Sequence, residues 1–525
     1  MKRLLWLPTL AFSLALAACS GGGSSSSTTP PPTSGFTLSS LKGTYAFSMS
    51  GMDPNNGAYF ARIGSFVADG AGNISSGVED VVDLSTGISQ VTFSGKYAVV
   101  TSGRGSLALT ASSGGSLTWT MDLQSTSQGL LVETDGNEAS SGSFNLQNTN
   151  DFLASSINGN YVFDFSGVNL TGTNVTNISI IGNITANGSG SITAGVLDTN
   201  DANNGHVGPT PLTLQGTYTI DSTYGATYGR FTASFGGRTF ALYVVDSTHL
   251  KFIEEDSTGG EGVSGDALVQ TGTIPATTAA FTGSFAYLVG GSSFNTSTFG
   301  PDASVARFTV SGTGTIGTIS YDENNDGTHI AQGTNITNAT YAIDTNYPGS
   351  GRGTFTFTDS TNGTFSYVFY LYSPTSGVIQ DVSANIIADG TLLGQSGSSF
   401  TLSGLAASYA YNWNGVNVTS SNEEDFIGLF SLASSSTNNI TGVLDGTVIG
   451  TGGGNSYSDI TTTGNLTITS AGTASNTFTI VGVSPLSATF NSVAYIVDTN
   501  TVLILDTDES QVLAGIATRQ QIPTN

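Results

Sequence analysis

Between residues 178 and 184 every second position is apolar or small: Ile178, Ile180, Gly182 and Ile184 share one face. Tyr161, Phe163 and Phe165 alternate with polar neighbours in the same way. A period of two is the signature of a strand with one buried face. Turn signals break these runs at the spacing of about 8 to 12 residues expected of antiparallel strands. They include Asp69-Gly70, Asn187-Gly188 and Ser311-Gly312-Thr313-Gly314. Outside the first nineteen residues no stretch carries a helical stripe, so the pattern predicts an all-β chain.

The pattern also repeats. FVADGAGNISSGVED (66–80) returns as ITANGSGSITAGVLD (184–198), as FTVSGTGTIGTISYD (308–322), and more loosely from Phe430 to Asp445. Each copy reads as a β-hairpin: a strand ending at the large apolar residue, a glycine turn, and a returning strand that closes on Asp80, Asp198, Asp322 or Asp445. Two residues before the large apolar residue stands a small one, Gly64, Gly182, Ala306 or Gly428, which predicts a bend or a close approach there. Upstream, a small-x-aromatic opening strand recurs at Tyr45, Tyr161, Phe285 and Tyr409, in steps of 116, 124 and 124 residues. Each unit ends on an apolar-to-acidic strand and a glycine-centred one, as in LVETDG with SGSFNLQ or VLILDTD with AGIATRQ. A period near 120 describes an array of domains and not a short-repeat solenoid. The predicted units are 36–150, 151–276, 277–399 and 400–525, each with about eight sequence-adjacent strands. A meander of eight closes most economically as an up-and-down barrel, which removes sheet edges. An immunoglobulin-like sandwich is the alternative. The opening strand loosely resembles the first strand of lipocalin-like and avidin-like barrels, without their tryptophan.

The leader, residues 1–18, has two basic residues, an apolar stretch too short for a membrane span, and small residues before Cys19. Leu16-Ala17-Ala18-Cys19 resembles the lipobox of bacterial lipoproteins. That resemblance implies cleavage before Cys19, acylation of Cys19, and anchoring of an exported protein in a membrane through its lipid, firm because more than one chain is attached. Cys19 is also the chain's one cysteine, so no disulfide framework competes for it. Ser20 follows it where aspartate would signal inner-membrane retention in enterobacterial-type lipoproteins, so the expected address is the outer membrane or the cell surface. Residues 19–35 then form the anchor and a Gly/Ser/Pro tether, flexible at first and stiffer through its prolines. The whole resembles repeat lipoproteins of bacterial surfaces.

Charge narrows the partners. The formal net charge is -25, and without Lys2 and Arg3 the chain has 10 basic against 37 acidic residues. Nucleic acid and anionic lipid surfaces need a positive face, so neither is an expected direct partner. Three histidines, no free cysteine and no recognisable nucleophile motif leave little for nucleophilic catalysis. Paired carboxylates for carbohydrate chemistry remain an open alternative. Asp322, Asn324 and Asp326 in DENNDG match the start of a Ca2+ loop and make weak Ca2+ binding a candidate. Gly333 stands where an EF-hand needs glutamate, and a polar hairpin turn is the plain alternative. His206 and His329 precede Tyr218 and Tyr341 by the same twelve residues, with Ser85 in that slot in unit one. Arg104, Arg230 and Arg352 recur and suit either an anionic ligand or an ion pair. Loop tyrosines 224, 228 and 347 are candidates for stacking on sugars. The reading that covers these facts is a non-catalytic, lipid-anchored envelope protein with four β domains in a row, structural, adhesive or binding a protein or polysaccharide surface. Small-ligand binding in barrel mouths is the second reading.

Overall fold

The computed structural model describes residues 35–524, with 54–57, 85, 172–173, 213–214, 257–260, 296–297, 332–335, 398, 434–437, 451–452 and 469–475 excepted. The leader and Cys19 therefore lie outside the described residues, as does most of the tether. Unit one is a closed barrel of β1 (Lys42–Asp53), β2 (Ala58–Asp69), β3 (Asn73–Asp83), β4 (Gly87–Val99), β5 (Arg104–Ala111), β6 (Ser116–Leu123), β7 (Gln128–Glu133) and β8 (Ala139–Leu146), each paired with its sequence neighbour. Pairing of β1 with β8 closes it. Unit four repeats this order, from Ser408–Asn417 to Gln511–Arg519.

Units two and three keep the plan but break the fourth strand. In unit two Gly205–Pro211 and Gly216–Ile220 both pair with Ser191–Asp201, and the sheet closes where that strand meets Asn174–Asn187. In unit three the pieces are Thr328–Ile330 and Ile336–Ile343, and the last of them makes a single bridge, Thr340 to Thr315, just before the third strand begins at Ile316. The units are thus barrels and not immunoglobulin-like sandwiches: consecutive strands pair edge to edge around one interior. Their helical content is confined to short pieces such as Gly225–Tyr228.

Inward-facing aromatics fill these interiors. In unit one Tyr45, Phe47, Phe66, Phe93, Trp119 and Phe144 pack together, with the Phe47 and Trp119 ring centroids 5.1 Å apart. Equivalent clusters fill the other three barrels. Space for the rings comes from the small residue of the repeat. A Cβ on Gly64 would lie 2.8 Å from the Phe47 ring, on Gly182 2.7 Å from Phe163, and on Gly428 2.5 Å from Tyr411. Each pair faces across one ladder rung, as does Ala306 with Tyr287 in unit three.

The repeated phrase forms the predicted hairpin. Asp69 Oδ1 accepts from the amides of Ala71 (2.7 Å) and Asn73 (3.0 Å), and Asn187 Oδ1 holds Ser189 and Ser191 in the same way. Gly70 and Gly72 take φ of 80° and 102°, a left-handed path that requires residues without a Cβ.

The units do not stand in a row. Unit one packs on unit two through Ala61, Ile63 and Val78 against Ala241, Tyr243 and Ile253. Unit two packs on unit three through Val162, Ile181 and Val196 against Val368 and Tyr370. Unit three meets unit four through Val305 and Leu288 against Tyr495, Leu503 and Leu505. Unit four returns to unit one through Ala410, Ile427 and Leu429 against Leu130 and Val132. Four barrels therefore close a ring, and outward-facing strand positions are apolar because they too are buried.

Candidate functional site

The aspartate that ends each repeat lies on the face turned toward the next unit. Asp80 accepts from Arg230 Nε (2.8 Å) and Nη2 (3.0 Å) and from the Tyr243 hydroxyl (2.6 Å) of unit two. Asp198 accepts from Arg352 Nε and Nη2, both at 2.8 Å, and from the Tyr370 hydroxyl (2.6 Å) of unit three. Asp322 accepts from the Tyr495 hydroxyl of unit four at 2.6 Å. Asp445 accepts from Arg104 Nε at 2.6 Å and from its Nη2, which brings the last unit onto the first. The planar guanidinium fork matches a carboxylate, and removal from water strengthens the pairing. Burial works against the Arg352 charge; the hydrogen bonds and charge of Asp198 outweigh it and hold the guanidinium above its ordinary value. Burial likewise pushes up the hydroxyls of Tyr243, Tyr370 and Tyr495, with the facing carboxylates adding to it.

A second device repeats at every junction. The side-chain amide of Gln147 donates to the Tyr228 and Val244 carbonyls, that of Gln270 to Ser350 and Leu371, that of Gln395 to Ile496, and that of Gln520 to Ser102 and Leu123. In each case the glutamine that closes one barrel reaches main-chain oxygens of the next.

These junctions absorb most of the sequence candidates. The recurrent arginines are ion-pair partners across unit boundaries. His206 and His329 each place Nε2 on the aspartate of their own unit, at 2.8 and 3.2 Å. In unit one Gln90 takes that role on Asp80, at 3.0 Å, while Ser85 lies outside the described residues. Within the Ca2+ candidate, Asp322 is engaged as above. Asn324 donates to the Asp506, Asp508 and Gln511 carbonyls of unit four, while Asp326 stands exposed at a hairpin tip with φ of 50°. The tyrosines expected on loops pack into junctions, Tyr224 and Tyr228 between units one and two, Tyr347 between two and three. Among the described residues, the acidic side chains that converge within 4.8 Å are Glu133, Asp135 and Glu138. Arg62 lies on that group, 3.1 Å from Glu133 and 3.4 Å from Glu138.

At the centre of the ring is a cavity of about 790 Å3 lined by all four units. The first strand of every barrel and the last strands of units two, three and four contribute to its wall, with residues of the second strands between, and glycine lets first and last strands approach. A Cβ on Gly51, Gly167, Gly291 or Gly415, each six residues after its unit's opening aromatic, would lie 1.9 to 2.1 Å from a carbonyl oxygen of that unit's last strand. Asp164, Asp266, Asp302, Asp389 and Glu423 border this space. Asp164 sits opposite Asp266 in register. Burial raises the Asp164 carboxyl well above the ordinary range, and the charges of Asp389 and Asp266 raise it further. Asp389 is pushed up to about 6 by burial, and burial with the charges of Asp425 and Glu424 raises Glu423. Asp266 goes the other way. Burial would raise it, but the charge of Lys251, with bonds from His249 and Lys251, holds it low. Lys251 Nζ is 3.1 Å from Asp266 Oδ1 and also donates to Ser48 Oγ of unit one at 3.0 Å. Sequence reasoning missed this site, because its walls come from strands more than a hundred residues apart. The signal present was the repeated glycine six residues after each opening aromatic.

No family model and no curated protein matches the chain. Among solved structures it is similar to a mutant of the vaccine antigen transferrin binding protein B from Haemophilus parasuis Hp5, at 9% identity and a TM-score of 0.20, over 76% of this chain and 83% of that one. It is also similar to kievitone hydratase from Nectria haematococca, at 11% identity and a TM-score of 0.15, over 46% of this chain and 94% of that one. Scores this low leave function to the chain's own geometry.

Proposed function

We propose that the chain is an exported, lipid-anchored protein of the outer membrane or cell surface. Its four barrels act as one rigid, non-catalytic binding body held off the lipid by the tether. The observation that carries this reading is the ring itself. Asp445 of the last unit grips Arg104 of the first, and the recurring aspartates and arginines hold units together, with His206 and His329 on the aspartates of their own units. Side chains locked in buried ion pairs are poorly placed to exchange protons with a substrate. The Leu16-Ala17-Ala18-Cys19 motif supplies the address. No helix of the described residues is long and apolar enough to cross a membrane. Ligand binding inside the barrels loses its space to the aromatic cores, and the ligand reading moves to the ring axis. The test of anchoring is fractionation after metabolic labelling with palmitate. Wild type should carry label and sediment with membranes, and Cys19→Ala should carry none and either leave the membrane fraction or retain its leader. Unlabelled wild type that fractionates like Cys19→Ala would overturn the anchor.

A further inference from the structure

We infer that the axial cavity binds a linear aliphatic polyamine, whose ammonium groups are held by Asp164, Asp389 and Glu423 and whose methylenes lie along the apolar wall between them. The sign of the charge comes first. Of the residues lining the cavity five are acidic and none is Lys, Arg or His. The neighbouring cation, Lys251, is committed to Asp266 and to two serines of unit one. Unpaired carboxylates in a confined space repel one another, and a bound cation relieves that cost.

Two of these carboxyl groups also carry an oxygen without a partner. Asp164 Oδ1 is buried with no hydrogen-bond partner, and so is Oδ1 of Asp302, a residue 2% exposed that borders the same cavity. Buried polar atoms in native proteins are nearly always satisfied, so two orphaned acceptors at one cavity point to a missing donor. Unit one shows the contrast. Its residue at the place of Asp164, three after the opening aromatic, is Ser48, which binds Lys251. Its residue at the place of Asp389, six before the closing glutamine, is Ser141, which donates to Asp425.

Shape selects the kind of cation. The carboxylates come from three different units, and among the described residues the acids that converge tightly enough to share one metal ion lie elsewhere, at Glu133, Asp135 and Glu138. About 790 Å3 is far larger than one ion needs and falls in the range of small-molecule sites. Leu288, Val416 and Ile516 line the same space as the acids, so the wall offers both charge and apolar surface, as a chain of ammonium and methylene groups requires.

The inference is independent of the lipid anchor and is tested apart from it. Spermidine is titrated calorimetrically into the purified full-length protein at fixed ionic strength, alone and in the presence of Mg2+. We expect saturable binding of one spermidine, weakened roughly tenfold or more by Asp164→Asn and by Asp389→Asn, and unchanged by Glu509→Gln on the outer surface. A Cβ on Gly290 meets nothing within 4 Å, so Gly290→Leu fills the cavity while leaving its charge, and should block binding at an unchanged Tm. Absence of saturable binding overturns the proposal. So does equal weakening by Glu509→Gln, which marks surface screening, or full displacement by equimolar Mg2+, which marks a metal site. Because Cys19→Ala should bind spermidine like wild type, failure of the anchor and failure of the cavity are distinguishable.

Discussion

If the ring is one body, damage at the junction of units two and three must be felt in units one and four. Arg352→Met makes that damage with little loss of apolar contact. Arg352 is buried, with Nε and Nη2 on Asp198 and Nη1 2.8 Å from Asp344. Removing it strands the wholly buried Asp198 carboxylate with the Tyr370 hydroxyl and His206. Breaking one side of such a pair costs about 3–5 kcal/mol. Unfolding entropy near 60 °C is about 2.1 cal/mol/K per residue, so a ring of roughly 490 residues melting as one has about 1 kcal/mol/K and Tm falls by about 3–5 °C. A unit of about 120 residues melting alone has about 0.25 kcal/mol/K, and the same loss lowers its Tm by about 12–20 °C. The assay is intrinsic tryptophan fluorescence, because the tryptophans beyond the leader are Trp119 in unit one and Trp413 in unit four, both fully buried. Cooperative unfolding moves the tryptophan transition by the smaller amount, together with the far-ultraviolet signal. A tryptophan transition that stays within about 1 °C of wild type while a separate transition drops by ten degrees or more would refute the ring as a cooperative unit. A double variant with Asp198→Asn should cost less than the sum of the singles, since both remove one interaction.

Burial, with the charges of Glu261 and Asp256 adding and that of Arg238 opposing, pushes the Glu254 carboxyl from 4.5 up to about 8. Its folded value exceeds its unfolded one, so its contribution is complete below pH 4.5 and is lost as pH rises toward about 8. Glu254→Gln should therefore melt higher than wild type at pH 8 and close to it at pH 4, and a Tm difference that ignores pH across this window would sink the assignment. Adjacent glycines in unit three should behave oppositely in urea unfolding. A Cβ on Gly291 falls 2.1 Å from the Ile387 carbonyl oxygen and should cost about 1–3 kcal/mol, while Gly290→Ala should stay within about 0.5 kcal/mol. Equal effects at the two positions would remove the close seam from the account of the axial wall.

What the sequence reveals here is what acts locally. Alternation, Asx-glycine turns and the spacing of opening aromatics are set by residues within one hairpin or one barrel, and they lead directly to eight-stranded units. The small residue before Phe66, Ile184 and Phe430 is legible as a close approach, although the ring that enters the gap, Phe47, Phe163 or Tyr411, is on the neighbouring strand. The closing aspartates look architectural in sequence, but their partners lie 150 residues on, or 341 residues back in the case of Arg104. A repeat makes such a contact hard to see, because Asp80, Asp198 and Asp322 each have an arginine of their own unit 24 to 32 residues on, and only geometry turns Asp80 and Asp198 to the next unit's. The axial acids were illegible for a further reason: Asp164, Asp389 and Glu423 do not recur from unit to unit, so periodicity gives them no weight.

Unit four is last in sequence yet packs against unit one, so the two ends of the described chain meet at one seam. The Gly35 amide donates to the Pro523 carbonyl at 3.2 Å, and the Gln521 amide donates to the Gln124 carbonyl at 2.7 Å. Phe36 follows at once into the core of the first barrel. The described chain therefore enters the ring at the seam where unit four meets unit one, and in the proposed lipid-anchored form any pull on it would be shared by two barrels. That seam holds Arg104 with both Asp445 and Asp459, and Gln520 on two carbonyls of unit one. It also departs from the others at one place. Asp122 stands where Tyr243, Tyr370 and Tyr495 reach the aspartates of the other junctions, fully buried and with both carboxylate oxygens unpartnered. Burial, and then the charge of Asp445, raises its carboxyl well above the ordinary range, against the pull of Arg104. The closing junction thus combines the point where the described chain enters the ring with a buried acid that is disfavoured in its ionised form. It gains stability below the range in which Asp122 ionises and loses it as pH rises through that range.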